Sequence, residues 1–144
     1  MPWPSSVWNV LTVSPCSPMY NRPSVSGRDS LALRRRLSDL GVTRMALGAG
    51  DKLAAAAPLL LALQLQWAQL AVIGDDWPDL PLLQRARFAC AVPDAHVEVR
   101  AIVHHVTAAR GGRGAAREFC DLLLCAAGRY ADLLQAQRAS LDTR

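Results

Sequence analysis

Beyond Val25, short apolar runs alternate with segments whose leucines recur at helical spacing, and few folds tolerate that alternation. A first run ends at Ser26-Gly27-Arg28. Leu31, Leu33, Leu37 and Leu40 predict a helix over 30–40, stopped by Gly41. Residues 42–47 read as a strand, and Asp51 is placed to cap a helix over 52–65, interrupted at Pro58. A buried strand over 70–73 runs straight into Gly74-Asp75-Asp76. A short helix over 80–87, a strand over 88–92, a helix over 94–102 capped by Asp94 and a last strand over 104–107 follow. Past the glycine-rich loop 111–114, one long helix is expected over 115–137. Strands separated by helices predict an α/β fold, a Rossmann-like parallel sheet with helices on both faces. In that architecture ligands lie beyond the C-terminal ends of the strands.

Residues 1–24 differ in kind. They hold five of the nine prolines and no carboxylate, the first acidic residue being Asp29, and they show no period. They read as an irregular segment ahead of a domain over 25–144. The 144 residues suffice for one core, and a charged content of 19% against 51% hydrophobic suits a soluble globular chain. The longest apolar stretch has 11 residues (53–63), where a membrane-spanning helix needs about 20. The N-terminus has neither the early positive charge nor the unbroken apolar core of a secretion signal. No membrane partner and a cytoplasmic location are therefore expected. The net charge of +4 hints at nucleic acid, but the arginines are scattered apart from Arg34, Arg35 and Arg36, and no nucleic-acid partner is expected. Cys90, Cys120 and Cys125 sit in apolar runs without CxxC spacing and read as reduced core residues.

Four places carry chemistry. Gly74-Asp75-Asp76-Trp77-Pro78-Asp79 puts three carboxylates within five residues at a strand's end. Such charges must be solvated or share a cation, and hard oxygens there suit Mg²⁺; an acidic turn capping the next helix explains the pattern equally well. Lys52 is the sole Lys beside fifteen Arg. A compact ammonium neutralises phosphate as a point donor, although a Lys in a helix's first turn can also be merely solvated. Ser26-Gly27-Arg28 offers a hydroxyl and a turn to a phosphoryl oxygen, yet the tripeptide alone is weak. Gly111-Gly112-Arg113-Gly114 before a helix permits anion contact, while a flexible loop is the commoner meaning of such glycines.

In order along the chain, Ser-Gly-Arg (26–28), Gly-x-x-Asp-Lys (48–52) and Gly-Asp-Asp-x-x-Asp (74–79) resemble motifs two, three and four of haloacid dehalogenase-type phosphatases. Asp94-Ala95-His96, Val106-Thr107 and the stretch 111–124 resemble the branch of that family that hydrolyses the phosphate ester of an eight-carbon acidic sugar on the route to lipopolysaccharide. The similarity runs over about 25–134 and implies a haloacid dehalogenase-like domain without a large cap. It implies that Ser26 and Gly27 hold the phosphoryl group and Arg28 faces the anionic substrate. Lys52 would stabilise the charge that develops. Asp75 would ligate Mg²⁺, with Asp76 and Asp79 shaping the coordination shell. It further implies a homo-oligomer, a tetramer, in which Gly111 to Arg117, Arg113 among them, helps enclose a sugar phosphate.

One departure bears on catalysis. In this family an Asp-x-Asp pair at the end of the first strand supplies the nucleophile, which forms an aspartyl-phosphate, and the general acid–base. The sequence has no Asp-x-Asp, and alignment on Val10-Leu11-Thr12 would put Ser6 and Trp8 at those places. Loss of a nucleophile costs on the order of 10⁴ to 10⁶ in turnover, so impaired activity is expected. The first strand is in doubt too, with residues 7–13 apolar enough to stand in for it. A frameshift or a wrong start would produce a segment such as 1–24.

Overall fold

The structure, a computed structural model, describes residues 11–12 and 23–140. Two sheets organise them. In the larger, β4 (Leu70–Gly74), β5 (Phe88–Ala91) and β6 (His105–Val106) run parallel. β1 (Leu11–Thr12) lies against β4 in the opposite sense, and the order is β1-β4-β5-β6. In the smaller, β2 (Ser24–Val25) pairs in parallel with β3 (Met45–Ala46).

The α/β class is as the alternation predicts, with two corrections to the sheet. The strands form two sheets rather than one, because the backbone amides of Ser24 and Ser26 bond to Arg44 and Ala46 on the β3 side (2.9 Å each). Residues 7–13 were expected to replace the first strand. Of these, Leu11 and Thr12 do pair with β4, but antiparallel and only against Ala71 and Leu70. The rest of that segment, like most of 1–24, lies outside the described residues.

β4 is buried along its whole length, as an unbroken Leu-Ala-Val-Ile-Gly run requires of an inner strand covered on both faces. With Val25, Ala89, Cys90, Ala91, Leu82, Leu83, Leu60, Val99 and Phe119 it makes one continuous core. Helix α1 (Leu31–Asp39) starts where Ser30 Oγ accepts the Leu33 amide (3.2 Å) and turns Leu33 and Leu37 inward, one turn apart. Helix α2 (Lys52–Ala62) starts under Asp51, whose carboxylate accepts the Ala54 amide (3.0 Å). It runs through Pro58 without interruption, since Ala56 and Leu60 bury the same face on either side. Helices α3 (Leu80–Arg85) and α4 (Val97–Ile102) link the later strands. His96, and not Asp94, caps α4: its Nδ1 accepts the Glu98 amide (3.2 Å).

The expected long helix is two, α5 (Ala115–Ala126) and α6 (Tyr130–Ala139), parted at Gly128. There φ is +66°, a conformation glycine adopts freely and a continuous helix cannot accommodate. Of the cysteines expected in the core, Cys90 is buried but Cys125 is exposed on α5. No described helix is long and apolar enough to cross a membrane.

Candidate functional site

The loops that leave β2, β3 and β4 at their C-terminal ends meet. Ser26, directly after β2, is fully buried, and its Oγ accepts the Arg28 amide (3.1 Å), folding the tripeptide into a tight turn. The Ser26 carbonyl accepts the Ala49 amide (2.9 Å), which joins this turn to the loop after β3. Gly27 and Arg28 are exposed at its tip.

The loop after β3 delivers Lys52 at the start of α2. The residue is 4% exposed, and its Nζ donates to Asp79 Oδ1 in a buried ion pair. Its lone place among the arginines thus coincides with burial, not with a solvated first-turn position.

The loop after β4 is organised by Asp79. Oδ2 of this residue, which is 1% exposed, accepts the amides of Asp75 (2.9 Å) and Asp76 (3.2 Å). Asp76 is exposed and its Oδ1 accepts the Trp77 amide (2.8 Å), closing a short 3₁₀ turn over Trp77–Asp79. The sequence offered solvation, a shared cation or an acidic capping turn for these three carboxylates, and Asp79 takes part in such a turn. One oxygen is neutralised by Lys52 and the other is saturated by two backbone N–H groups, a pairing across 27 residues that local spacing cannot reveal.

Gly74 makes this possible. A Cβ on it would lie 2.8 Å from Asp79 Cβ and 2.9 Å from Oδ2, so the glycine in Gly-Asp-Asp-x-x-Asp is required for space.

On the far side of the loop, the His96 amide donates to the Asp75 carbonyl (2.9 Å), while His96 Nδ1 accepts the Trp77 indole N–H (2.9 Å). Both lie in motifs visible in the sequence, but nothing local signals the bond between them, 19 residues apart.

After β6, Thr107 is buried and its hydroxyl donates to the Ala109 carbonyl (2.7 Å). The Glu118 carboxylate accepts the amides of Ala108 and Ala109 (2.9 and 2.8 Å), which hold it below the usual carboxylate range. These bonds fasten the loop before α5. Arg113 is exposed there. Its neighbours Gly111, Gly112 and Gly114 line a cavity of about 210 Å³ with Arg36, Ile73 and Val92. Those contacts put the glycine-rich segment by the C-terminal ends of β4 and β5.

Asp75 and Asp76 are the other two carboxylates of the loop. Mg²⁺ takes one or two carboxylates and completes its shell with phosphate oxygens and water. The pair therefore fits as a partial donor set. No group of three His, Cys, Asp or Glu placed to hold an ion occurs among the described residues.

The strand ends thus gather oxygens suited to a hard cation, an ammonium and a hydroxyl suited to an anion, the equipment of a phosphoryl-handling α/β protein. The model of the haloacid dehalogenase-like hydrolases matches residues 41–118, and the chain belongs to that family. It is 44% identical over 102 residues to the 3-deoxy-D-manno-octulosonate 8-phosphate phosphatase of Yersinia pestis, covering 71% of this chain and 54% of the relative. With its Haemophilus influenzae counterpart the identity is 42% over 105 residues, covering 73% and 58%. The chain thus spans little more than half the length of these relatives. The Moraxella catarrhalis phosphatase of the same description, solved with magnesium, phosphate and 3-deoxy-D-manno-octulosonate, superposes with a TM-score of 0.76. That pair is 34% identical, and the match covers 79% of this chain and 66% of the other.

Proposed function

We propose that this chain carries the phosphate- and metal-handling part of a Mg²⁺-dependent phosphomonoester hydrolase. Its substrate is 3-deoxy-D-manno-octulosonate 8-phosphate, a precursor on the route to lipopolysaccharide. The observation that carries this reading is the buried Lys52–Asp79 pair, which fixes an ammonium beside the carboxylate loop at the strand ends. Ser26 and the turn at Gly27 receive phosphoryl oxygens, and Arg28 meets the anionic sugar. Lys52 offsets charge that develops on the transferring group. Asp75 and Asp76 hold the cation, and Asp79 keeps Lys52 and the two loop amides in place. Bound Mg²⁺ would polarise the phosphoryl oxygens and orient them. Arg113 and its glycine-rich neighbours help enclose the substrate, in a cytoplasmic homotetramer.

Turnover by this chain alone is impaired, because it has no Asp-x-Asp pair to supply nucleophile and acid–base. The test is phosphate release from 3-deoxy-D-manno-octulosonate 8-phosphate with Mg²⁺, beside Asp75→Ala. Release no greater than that of the variant, together with retained binding of the sugar phosphate, agrees with the proposal. Release that Asp75→Ala abolishes means that another carboxylate acts as nucleophile. The absence of any Asp or Glu before Asp29 favours a second reading, a non-catalytic member that keeps a sugar-phosphate or oligomer surface.

A further inference from the structure

Asp75 is gripped at both of its backbone polar groups. Its N–H is held from the interior by Asp79 Oδ2 (2.9 Å), and its carbonyl from the rim by the His96 amide (2.9 Å). Two fixed peptide groups leave little freedom in φ and ψ, so the direction in which the Asp75 side chain leaves the backbone is set before any ion arrives.

The interior grip belongs to the buried ion pair. The rim grip depends on where His96 sits, and the His96 side chain is anchored through one atom, Nδ1, shared by two donors. Nδ1 accepts the Glu98 amide (3.2 Å), seating the residue on the first turn of α4, and it accepts the Trp77 indole N–H (2.9 Å). Trp77 is 59% exposed, so apolar burial does not account for its position. Its ring stands edge-on to the imidazole, centroids 5.0 Å apart, and its one polar atom is spent on His96. The imidazole and the indole thus close a bracket from the β5–α4 turn onto the residue after Asp76.

We propose that His96, acting with Trp77, is a positioning residue for the Asp75–Asp76 carboxylates. The inference rests on the reading of that loop as a divalent-cation site. A bracket of this kind prepares the donors for the ion without touching it, the usual work of groups one layer behind a metal.

The test is a Mn²⁺ titration of the full chain, with the free ion followed by its electron paramagnetic resonance signal. Wild type is compared with His96→Ala, His96→Asn, Trp77→Phe and Asp75→Ala. Outer-layer partners of this kind change metal affinity by roughly 10- to 100-fold, so His96→Ala and Trp77→Phe are each expected to weaken Mn²⁺ binding about tenfold. The double variant should be no weaker than His96→Ala, because both remove one bracket. His96→Asn keeps an acceptor and a helix cap and should bind within about twofold of wild type by that replacement. Trp77→Phe should melt with the wild type in chelator, which separates positioning from a general loss of fold. If Asp75→Ala loses Mn²⁺ while His96→Ala and Trp77→Phe bind as wild type, the bracket is refuted and the cation site stands. If wild type and Asp75→Ala are alike in retaining no Mn²⁺, the cation site itself is refuted, and the role of His96 with it.

Discussion

Gly74→Ala puts the organisation of the site to its sharpest test. The added methyl meets Asp79 Cβ at 2.8 Å, Oδ2 at 2.9 Å and Cγ at 3.0 Å. These are the stem and head of a residue fixed at both oxygens, not the free end of a flexible chain. Two terms favour the variant: about 0.8 kcal/mol for a buried methyl and about 0.4–1 kcal/mol from a less flexible unfolded chain. Against them stands overpacking, about 1–3 kcal/mol if the strain is absorbed. If Asp79 is pushed off Lys52, the loss is that of a broken buried pair, about 3–5 kcal/mol. The nearest atom is a stem carbon with nowhere to go, so the second outcome is expected, a net loss of about 1–4 kcal/mol. In a chain of this size that lowers the melting temperature by on the order of 10 °C. Gly50→Ala is the control, since a Cβ there meets nothing within 4 Å. Thermal and urea unfolding of the two variants beside wild type gives the answer. Equal midpoints for Gly74→Ala and Gly50→Ala would refute the rigidity assigned to Asp79.

Asp79→Asn keeps an acceptor for the two amides but strands the Lys52 ammonium, whose side chain is 3% exposed; a loss of about 3–5 kcal/mol by urea unfolding is expected. Adding Lys52→Met to it should recover most of that loss, and strict additivity of the two substitutions would contradict the pairing. Burial pushes the Cys90 thiol up to about 11, so iodoacetamide at pH 8 should label Cys125 in the folded protein and reach Cys90 only after unfolding, as read by peptide mass. Glu118 has its carboxyl lowered from an ordinary 4.5 by the Ala109 and Ala108 amides. A lowered carboxylate contributes stability above its unfolded value and loses it as pH falls through the folded one. The stability gap between wild type and Glu118→Gln should therefore be present at pH 7 and close below about pH 4.5, followed by denaturation across that range; a gap independent of pH contradicts it.

What could be read from the sequence and what could not divide along the range of the interactions involved. Strand β4 and the cap at Asp51 rest on neighbours within a few residues, and both are as the spacing predicts. Lys52 stood out by composition, and its burial agrees with that suspicion. Its partner did not stand out, because the bond to Asp79 spans 27 residues, with helix α2 and strand β4 between, and nothing local distinguishes Asp79 from Asp75 or Asp76. Pro58 and Gly128 were weighed in the wrong order. The proline removes one N–H from a helix that packing holds on both sides. The glycine permits a left-handed turn that lets α6 leave the direction of α5. His96 and Trp77 lay inside motifs visible in the sequence, but the bond between them was illegible, because it joins residues 19 apart and neither carries a periodic signature.

The ion pair between Lys52 and Asp79 has a mechanical side. Lys52 belongs to the loop that leaves the smaller sheet and Asp79 to the loop that leaves the larger one, so an electrostatic pin reaches across the seam between them. Regions joined in this way need not unfold together. The strands β2 and β3 are expected to open ahead of β4, β5 and β6, at a free energy governed by the pin and by the packing of Val25 in the shared core. Amide hydrogens of Ser24 and Ser26 would then exchange with solvent ahead of those of β4 and β5. Any anion that draws on the ammonium changes the strength of the pin, and so the frequency with which the seam parts.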